Sequence, residues 1–206
     1  YVWTLSYVIE AAGEHDIPVI VLDRPNPSGG HVDGAPLEQA LCSFVGRYSV
    51  PTCHGMTIGE LAQMINARWN PHPAQLSVIP CTGWTRDMHW PQTGLQWVPP
   101  SPALPRYRTV LHYPGACLIE GTQLSEGRGT ALPFEVVGAP YIDSVALADY
   151  LNADDMPGVR FRPHEFRPTA SKYAGQNCGG VQVHITDASQ YRPILIWLYI
   201  IRTIRT

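Results

Sequence analysis

The sequence predicts an α/β fold with a parallel sheet and a second domain behind it, and three observations carry that prediction. Trp3–Glu14 places apolar residues at helical spacing, and a short link then leads to Pro18–Leu22 (PVIVL), a continuous apolar run of the kind found in buried parallel strands. The pairing recurs downstream. His54-Gly55-Met56 runs into Thr57 with Glu60 three residues later, a capping box that opens a helix to about Trp69, and Gln75–Pro80 follows as another apolar strand. The third observation is a break: residues 97–105 (WVPPSPALP) carry Pro99, Pro100, Pro102 and Pro105, which no helix or central strand tolerates. The predicted domains are therefore 1–105, part of a Rossmann-like sheet, and 106–206, a smaller α+β domain.

The remaining elements follow from local pattern. Pro36–Phe44 reads as a helix after the Gly29-Gly30 turn. In the second half, Ala116–Ile119, Phe134–Val137, Val159–Phe161 and Val181–Ile185 read as strands, and Ile142–Asn152 and Tyr191 onward as helices. Strands and helices do not alternate strictly there, which favours α+β. The chain opens inside a helical pattern without a cap and stops without a Gly or Pro signal, so a piece of a longer protein is expected. Pro193–Ile201 is apolar but far shorter than the roughly 20 residues that span a bilayer.

Composition excludes several classes. The chain has 206 residues, is 45% hydrophobic and carries a formal net charge of −3, an ordinary globular profile. Its arginines are scattered, and no basic stripe points to nucleic acid. Lys172 is the only lysine. Five cysteines form no CxxC pair and their number is odd, which argues against a disulfide framework or zinc site. No GxGxxG follows a strand, no GxxxxGK[ST] exists, no GxSxG elbow is present, and no His spacing suits a metal. Cys53-His54 is a pair of chain neighbours rather than a catalytic dyad, and His54 is either a loop histidine bound to backbone or a site residue.

What remains is carboxylates and arginines near strand ends. LIEGTQLSEGRGT (118–130) gathers Glu120, Glu126 and Arg128 within nine positions of a chain that is only 15% charged. Glycoside hydrolysis needs one protonated acid at the leaving oxygen and one ionised carboxylate acting on water or the anomeric carbon. Glu120, at the end of an apolar strand, is expected to be partly desolvated, which raises a carboxyl pKa. An arginine beside Glu126 would keep that carboxylate ionised and so divide the two roles. The same residues suit an ion pair bracing a turn, and spacing leaves both readings open. Asp23-Arg24 follows PVIVL at the carboxyl end of a strand, where open α/β sheets bind ligands, or forms an Asx-turn before Pro25. Glu60 belongs to the cap. Trp84, Trp90, Trp97 and Tyr113 suit either sugar stacking or a core.

The stretches VLDRPNPSGG (21–30), VDGAPL (32–37), SFVGRYSVPTCHGMTIGELA (43–62), CTGWTRDMHW (81–90), TGLQWVPPSP (93–102), YPGACLIEGTQLSEGRGTALPFEVVGAP (113–140) and SKYAGQNCGGVQVHITD (171–187) carry a resemblance. In order, and over nearly the whole chain, they resemble a bacterial family of exo-β-N-acetylmuramidases formerly catalogued as a domain of unknown function. The resemblance implies a secreted, periplasmic or lipid-anchored glycosidase that removes N-acetylmuramic acid from the non-reducing end of peptidoglycan fragments, with no cofactor and no metal. It implies a Rossmann-like domain followed by a smaller α+β domain, with the site in a cleft between them. On this reading Glu120 and Glu126 are catalytic, and Asp23, Arg24, Asn26, His54, Trp84, Arg86, Asp87, Tyr113 and Arg128 bind a muramyl saccharide. Arg24, Arg86 and Arg128 are candidates for its lactyl carboxylate. Gln123 stands where the family often has asparagine. The family's Glu-His-Gly motif, expected to supply a catalytic carboxylate, has no counterpart, since Glu14-His15-Asp16 lacks the glycine and sits at a helix end. One catalytic group is thus expected to be missing, and the alternative is a catalytically incomplete muramyl-saccharide-binding module. Oligomeric state is left open.

Overall fold

Helix α1 (Val2–Glu14) forms because Leu5, Ile9 and Ala12 recur at helical spacing and pack on the strand that follows. That strand, β1 (Val19–Leu22), pairs in parallel with β4 (Leu76–Ile79), matching Val19 with Leu76 and Leu22 with Ile79. Helix α2 (Ile58–Arg68) makes the crossover, and Ala62 joins Ile9, Ala12 and Val21 in one small core. Among the described residues the sheet is covered on that face alone. Ile20, Leu22 and Ile79 on the other face are exposed, whereas the PVIVL run predicts burial on both. The chain is described over residues 2–205 by a computed structural model. It is α/β in class and divides into two units, Tyr1–Leu95 and Gln96–Thr206.

The capping box at α2 is present: Thr57 Oγ1 accepts from the Glu60 amide at 3.2 Å, and Glu60 Oε2 accepts from the Thr57 amide at 2.9 Å. An antiparallel pair, β2 (Val32–Pro36) with β3 (Pro51–His54), completes the first unit. Here the helix predicted over Pro36–Phe44 is corrected. Pro36 is the last residue of β2, paired with Pro51, and only Gln39–Leu41 makes a 3₁₀ turn. Leu41, Phe44 and Val45 stay exposed, so a helix there would have no face to bury.

In the second unit β5 (Val136–Ala139), β7 (Cys178–Ile185) and β6 (Val159–Phe166) form an antiparallel sheet in that order. Helices α3 (Tyr107–Ala116), α4 (Ser144–Ala153) and α5 (Pro193–Arg205) accompany it. The predicted strand Ala116–Ile119 is instead the end of α3 and a 3₁₀ turn over Cys117–Gly121. Ala116 and Ile119, three residues apart, are both fully buried in one core, which is the helical period and not the strand period. Trp197 anchors that core, and its Nε1 donates to the Tyr191 hydroxyl at 3.0 Å.

The Tyr191 hydroxyl lies 2.8 Å from Nδ1 of the fully buried His112. Burial first, with the charges of Arg108 and His184 adding to it, lowers the His112 pKa to about 3. A histidine held neutral in the fold stabilises it less as the unfolded chain takes up protons below about pH 6.5. Between pH 7 and 5 the loss from this one residue is about 2 kcal/mol. His112→Phe is expected to flatten the stability–pH profile by about that amount in urea unfolding at the two pH values; an unchanged slope would show that His112 titrates in the fold as it does in the unfolded chain.

Candidate functional site

The 118–130 stretch is not a strand running into a loop. After the 3₁₀ turn, Ser125 forms an isolated bridge with Gly138 of β5, and Gly127 and Gly129 follow in left-handed conformation at φ 74° and 78°. The Phe134 amide then donates to the Glu126 carbonyl at 2.7 Å, folding the loop back on itself. The turn brings three charges together. Arg128 Nη2 donates to Glu120 Oε1 at 2.7 Å, and Arg128 Nε lies 3.1 Å from Glu126 Oε1. Arg128 therefore binds both carboxylates and does not separate them by pairing with one.

Their surroundings differ sharply. The Glu126 side chain is 1% exposed and the Glu120 side chain 41%, so the desolvated member is Glu126, not Glu120 as the strand-end reading expects. The reason is local: Glu120 sits at the outward side of a 3₁₀ turn, while Glu126 is drawn inward beside Phe134, which is fully buried. Arg128 lies over the Phe134 ring at 4.8 Å, and Tyr113 meets the same ring edge-on with centroids 4.9 Å apart. Burial pulls the Arg128 pKa down, but the hydrogen bond to Glu120 and the charges of both glutamates outweigh it, and the net shift is upward.

Two residues absent from the sequence-based set complete the cluster. Ser171 Oγ donates to Glu126 Oε1 at 2.9 Å. Lys172 Nζ donates to the carbonyls of Ile119, Glu120 and Leu124 at 2.8, 3.1 and 3.0 Å, using all three of its protons. The ammonium stands 3.9 Å from Glu126 Oε2, a buried oxygen with no hydrogen-bond partner among the described residues. Phe134, Ser171 and Tyr173 also adopt positive φ of 60°, 65° and 58°, conformations that cost about 1–3 kcal/mol each and persist where the surroundings enforce them. The one sequence signal for Lys172 is its being the only lysine. Lys172→Met leaves three carbonyls without their donor and is expected to cost about 2–3 kcal/mol in urea unfolding. Lys172→Arg should restore only part of it, because a planar fork cannot serve three converging carbonyls. Wild-type stability for Lys172→Met would contradict the bracing role.

The other predicted site residues lie in the first unit. Asp23 ends β1 and ties it to the start of α2. Its Oδ2 accepts from Thr57 Oγ1 at 2.8 Å, and its Oδ1 accepts from the Gly59 amide at 2.7 Å and the Arg24 amide at 2.9 Å. Only glycine fits at 59, since a Cβ there would lie 2.6 Å from Val78 and 2.8 Å from the Asp23 carboxyl carbon. Asn26 is also structural, donating to the Met56 carbonyl and accepting from the Ser28 amide. Arg86 pairs with Glu60 and donates to the Gly55 carbonyl at 2.6 Å, and its guanidinium lies 5.8 Å from the Trp84 ring centre. Asp87 is exposed and accepts from Thr85 Oγ1 at 2.6 Å, which holds its carboxyl below the usual range.

Asp23, Arg24, Cys81 and Trp84 line one cavity of about 310 Å³ at the carboxyl ends of the two parallel strands. Burial, with Asp23 beside it, pushes the Cys81 thiol up, so it is no thiolate nucleophile. His54 lines a separate cavity of about 280 Å³ with Trp3 and Tyr48. Its Nδ1 accepts from the Met56 amide at 3.1 Å and burial lowers its pKa, so it stands there as a neutral ring. Among the described residues no group of His, Cys, Asp and Glu could hold a metal ion, and no helix is long and apolar enough to cross a membrane.

Comparison with known proteins adds a separate line of evidence. Residues 1–108 match the N-terminal family model of exo-β-N-acetylmuramidase NamZ, and residues 111–206 match its C-terminal model. The peptidoglycan β-N-acetylmuramidase NamZ of Bacillus subtilis (strain 168) is 47% identical over 205 residues, which is 99% of this chain and 49% of that protein. A DUF1343 family protein of Bacteroides fragilis NCTC 9343 superposes with a TM-score of 0.95 at 37% identity, over 99% of this chain and 54% of its own. A second DUF1343 protein of the same strain gives 0.71 at 35%, over 96% and 51%. The chain spans about half the length of the curated relative it matches. With the two family models meeting end to end along it, the chain belongs to the exo-β-N-acetylmuramidase NamZ family.

Proposed function

We propose that this chain is part of a glycosidase that releases N-acetylmuramic acid from the non-reducing end of peptidoglycan fragments by carboxylate catalysis. The observation that carries the proposal is the Glu120–Arg128–Glu126 array, a carboxylate pair on one guanidinium, in a chain that shares nearly half its residues with a β-N-acetylmuramidase. Glu120 is the member that meets substrate, because a reacting carboxylate must be reached and Glu120 is accessible. Glu126 is the buried anchor that orients Arg128, with Ser171 and Lys172 bracing it. Arg128 sets the direction of the Glu120 carboxylate and offers positive charge to a ring or leaving group beside it. Hydrolysis needs a second carboxyl group. That group belongs to the part of the longer relatives that this chain does not span, in keeping with the missing Glu-His-Gly motif. The same reading puts the protein outside the cytoplasm, secreted, periplasmic or lipid-anchored, where peptidoglycan lies.

The half-length match supports a second reading, in which the 206-residue chain binds muramyl saccharides without hydrolysing them. One experiment separates the two. A chromogenic β-N-acetylmuramide is offered to the chain alone and to a fusion with the portion of the Bacillus subtilis relative outside the matched region. The first reading expects N-acetylmuramic acid release by the fusion. Binding by the fusion without release supports the second, and release of acetate in place of sugar excludes both.

A further inference from the structure

We infer that Arg24 is the residue that recognises a carboxylate-bearing sugar, in the cavity formed by the carboxyl ends of β1 and β4. This rests on the muramidase reading and deepens it by assigning the specificity determinant. A muramyl residue differs from a glucosaminyl residue by an ether-linked lactyl group, so a selective site needs a cation for that carboxylate, and arginine's fork suits it.

Three arginines compete for the role, and two are already engaged. Arg128 is held by Glu120 and Glu126. Arg86 is held by Glu60 and the Gly55 carbonyl, closing the start of α2. The guanidinium of Arg24 makes no hydrogen bond or ion pair among the described residues; its recorded contact is through its backbone amide. Its acidic neighbour does not quench it, because both Asp23 oxygens face the Thr57 hydroxyl and the amides of Gly59 and Arg24. Pro25 follows Arg24 and narrows its backbone freedom, so the cation is presented from a restrained position.

The cavity suits one pyranose. Its volume is about 310 Å³, and Trp84 supplies an aromatic wall for a sugar face. The Trp84 Nε1–H itself is buried and has no acceptor among the described residues. Thr82 adds a hydroxyl that either donates or accepts, while Thr93, whose proton goes to the Trp90 carbonyl at 2.7 Å, can only accept. An unpaired cation, an aromatic face and hydroxyl groups around a single-ring volume are what an acidic amino sugar needs.

The test is calorimetric titration of the 206-residue chain with N-acetylmuramic acid, its lactyl methyl ester and N-acetylglucosamine, in wild type, Arg24→Met and Arg24→Lys. Wild type is expected to prefer N-acetylmuramic acid over both neutral sugars by about 10- to 100-fold, the worth of a charge-assisted pair. Arg24→Met should bring the ratios near one while leaving the weak N-acetylglucosamine affinity unchanged, and Arg24→Lys should recover part of the preference. A preference that survives Arg24→Met overturns the Arg24 assignment alone. A wild-type chain that shows no preference for the acidic sugar overturns the muramyl reading on which it rests. Arg24 is exposed, and thermal melts matching wild type will show that the variants are folded.

Discussion

Replacing Glu120 with glutamine is expected to lower N-acetylmuramic acid release by about 10²- to 10⁴-fold, the range general acid–base groups contribute. The fold should be untouched, since Glu120 and Arg128 are 41% and 34% exposed and an ion pair of that kind contributes about 1 kcal/mol or less. The separation of effects is the point of the experiment. Glutamine keeps the size and the acceptor for Arg128 Nη2 but removes the charge and the proton-transfer capacity. The fusion with the matched relative's remaining portion is the protein to assay, with a thermal melt beside each rate. A variant with near-wild-type kcat would remove Glu120 from the chemistry, whatever its melt.

Glu126→Ala should act in the opposite pattern, through the fold first. Glu126 is 1% exposed, and it answers Arg128 Nε, the Ser171 hydroxyl and the nearby Lys172 charge. Removing it leaves two cations side by side without their shared anion, and breaking a buried pair in this way costs about 3–5 kcal/mol. Urea unfolding is the direct measure. Activity should fall with stability, because Arg128 loses the anchor that aims it at Glu120. A variant as stable as wild type would mean that Lys172 and Ser171, and not Glu126, hold the loop.

How much of this was legible in the sequence depended on the range of the interactions. The capping box at Thr57 and Glu60 was readable because both partners lie within one helical turn. The PVIVL and Gln75–Pro80 strands were readable because β-branched apolar runs of that length have few other uses. Ala116–Ile119 reads as a strand because four apolar residues carry no period of their own; the packing of Ala116 and Ile119 in one core decides for the helix end and 3₁₀ turn. Pro36–Phe44 failed for the opposite reason, a helical pattern with nothing to pack on.

The site shows the same division. Glu120, Glu126 and Arg128 were visible as a cluster because they are chain neighbours. Which carboxylate is buried was not, because that depends on Phe134 turning inward at positive φ and on Ser171 arriving from 45 residues away. Lys172 was visible only as an oddity of composition, since its three carbonyls lie 53, 52 and 48 residues back. Asp23 looked like a site residue or a local turn and is neither alone: it joins β1 to α2 across 34 and 36 residues while bordering the Arg24 cavity.

The central claim is that Glu120 and Arg128 act as one catalytic unit, and a double-mutant cycle on kcat/KM tests it most directly. Glu120→Gln, Arg128→Met and the double variant are compared with wild type in the fusion assay, each checked for folding by its melt. Residues that work as a unit lose little more together than the worse of them loses alone. The double variant is accordingly expected to fall within about threefold of Glu120→Gln. Losses that multiply, each variant acting as though the other were absent, would contradict it.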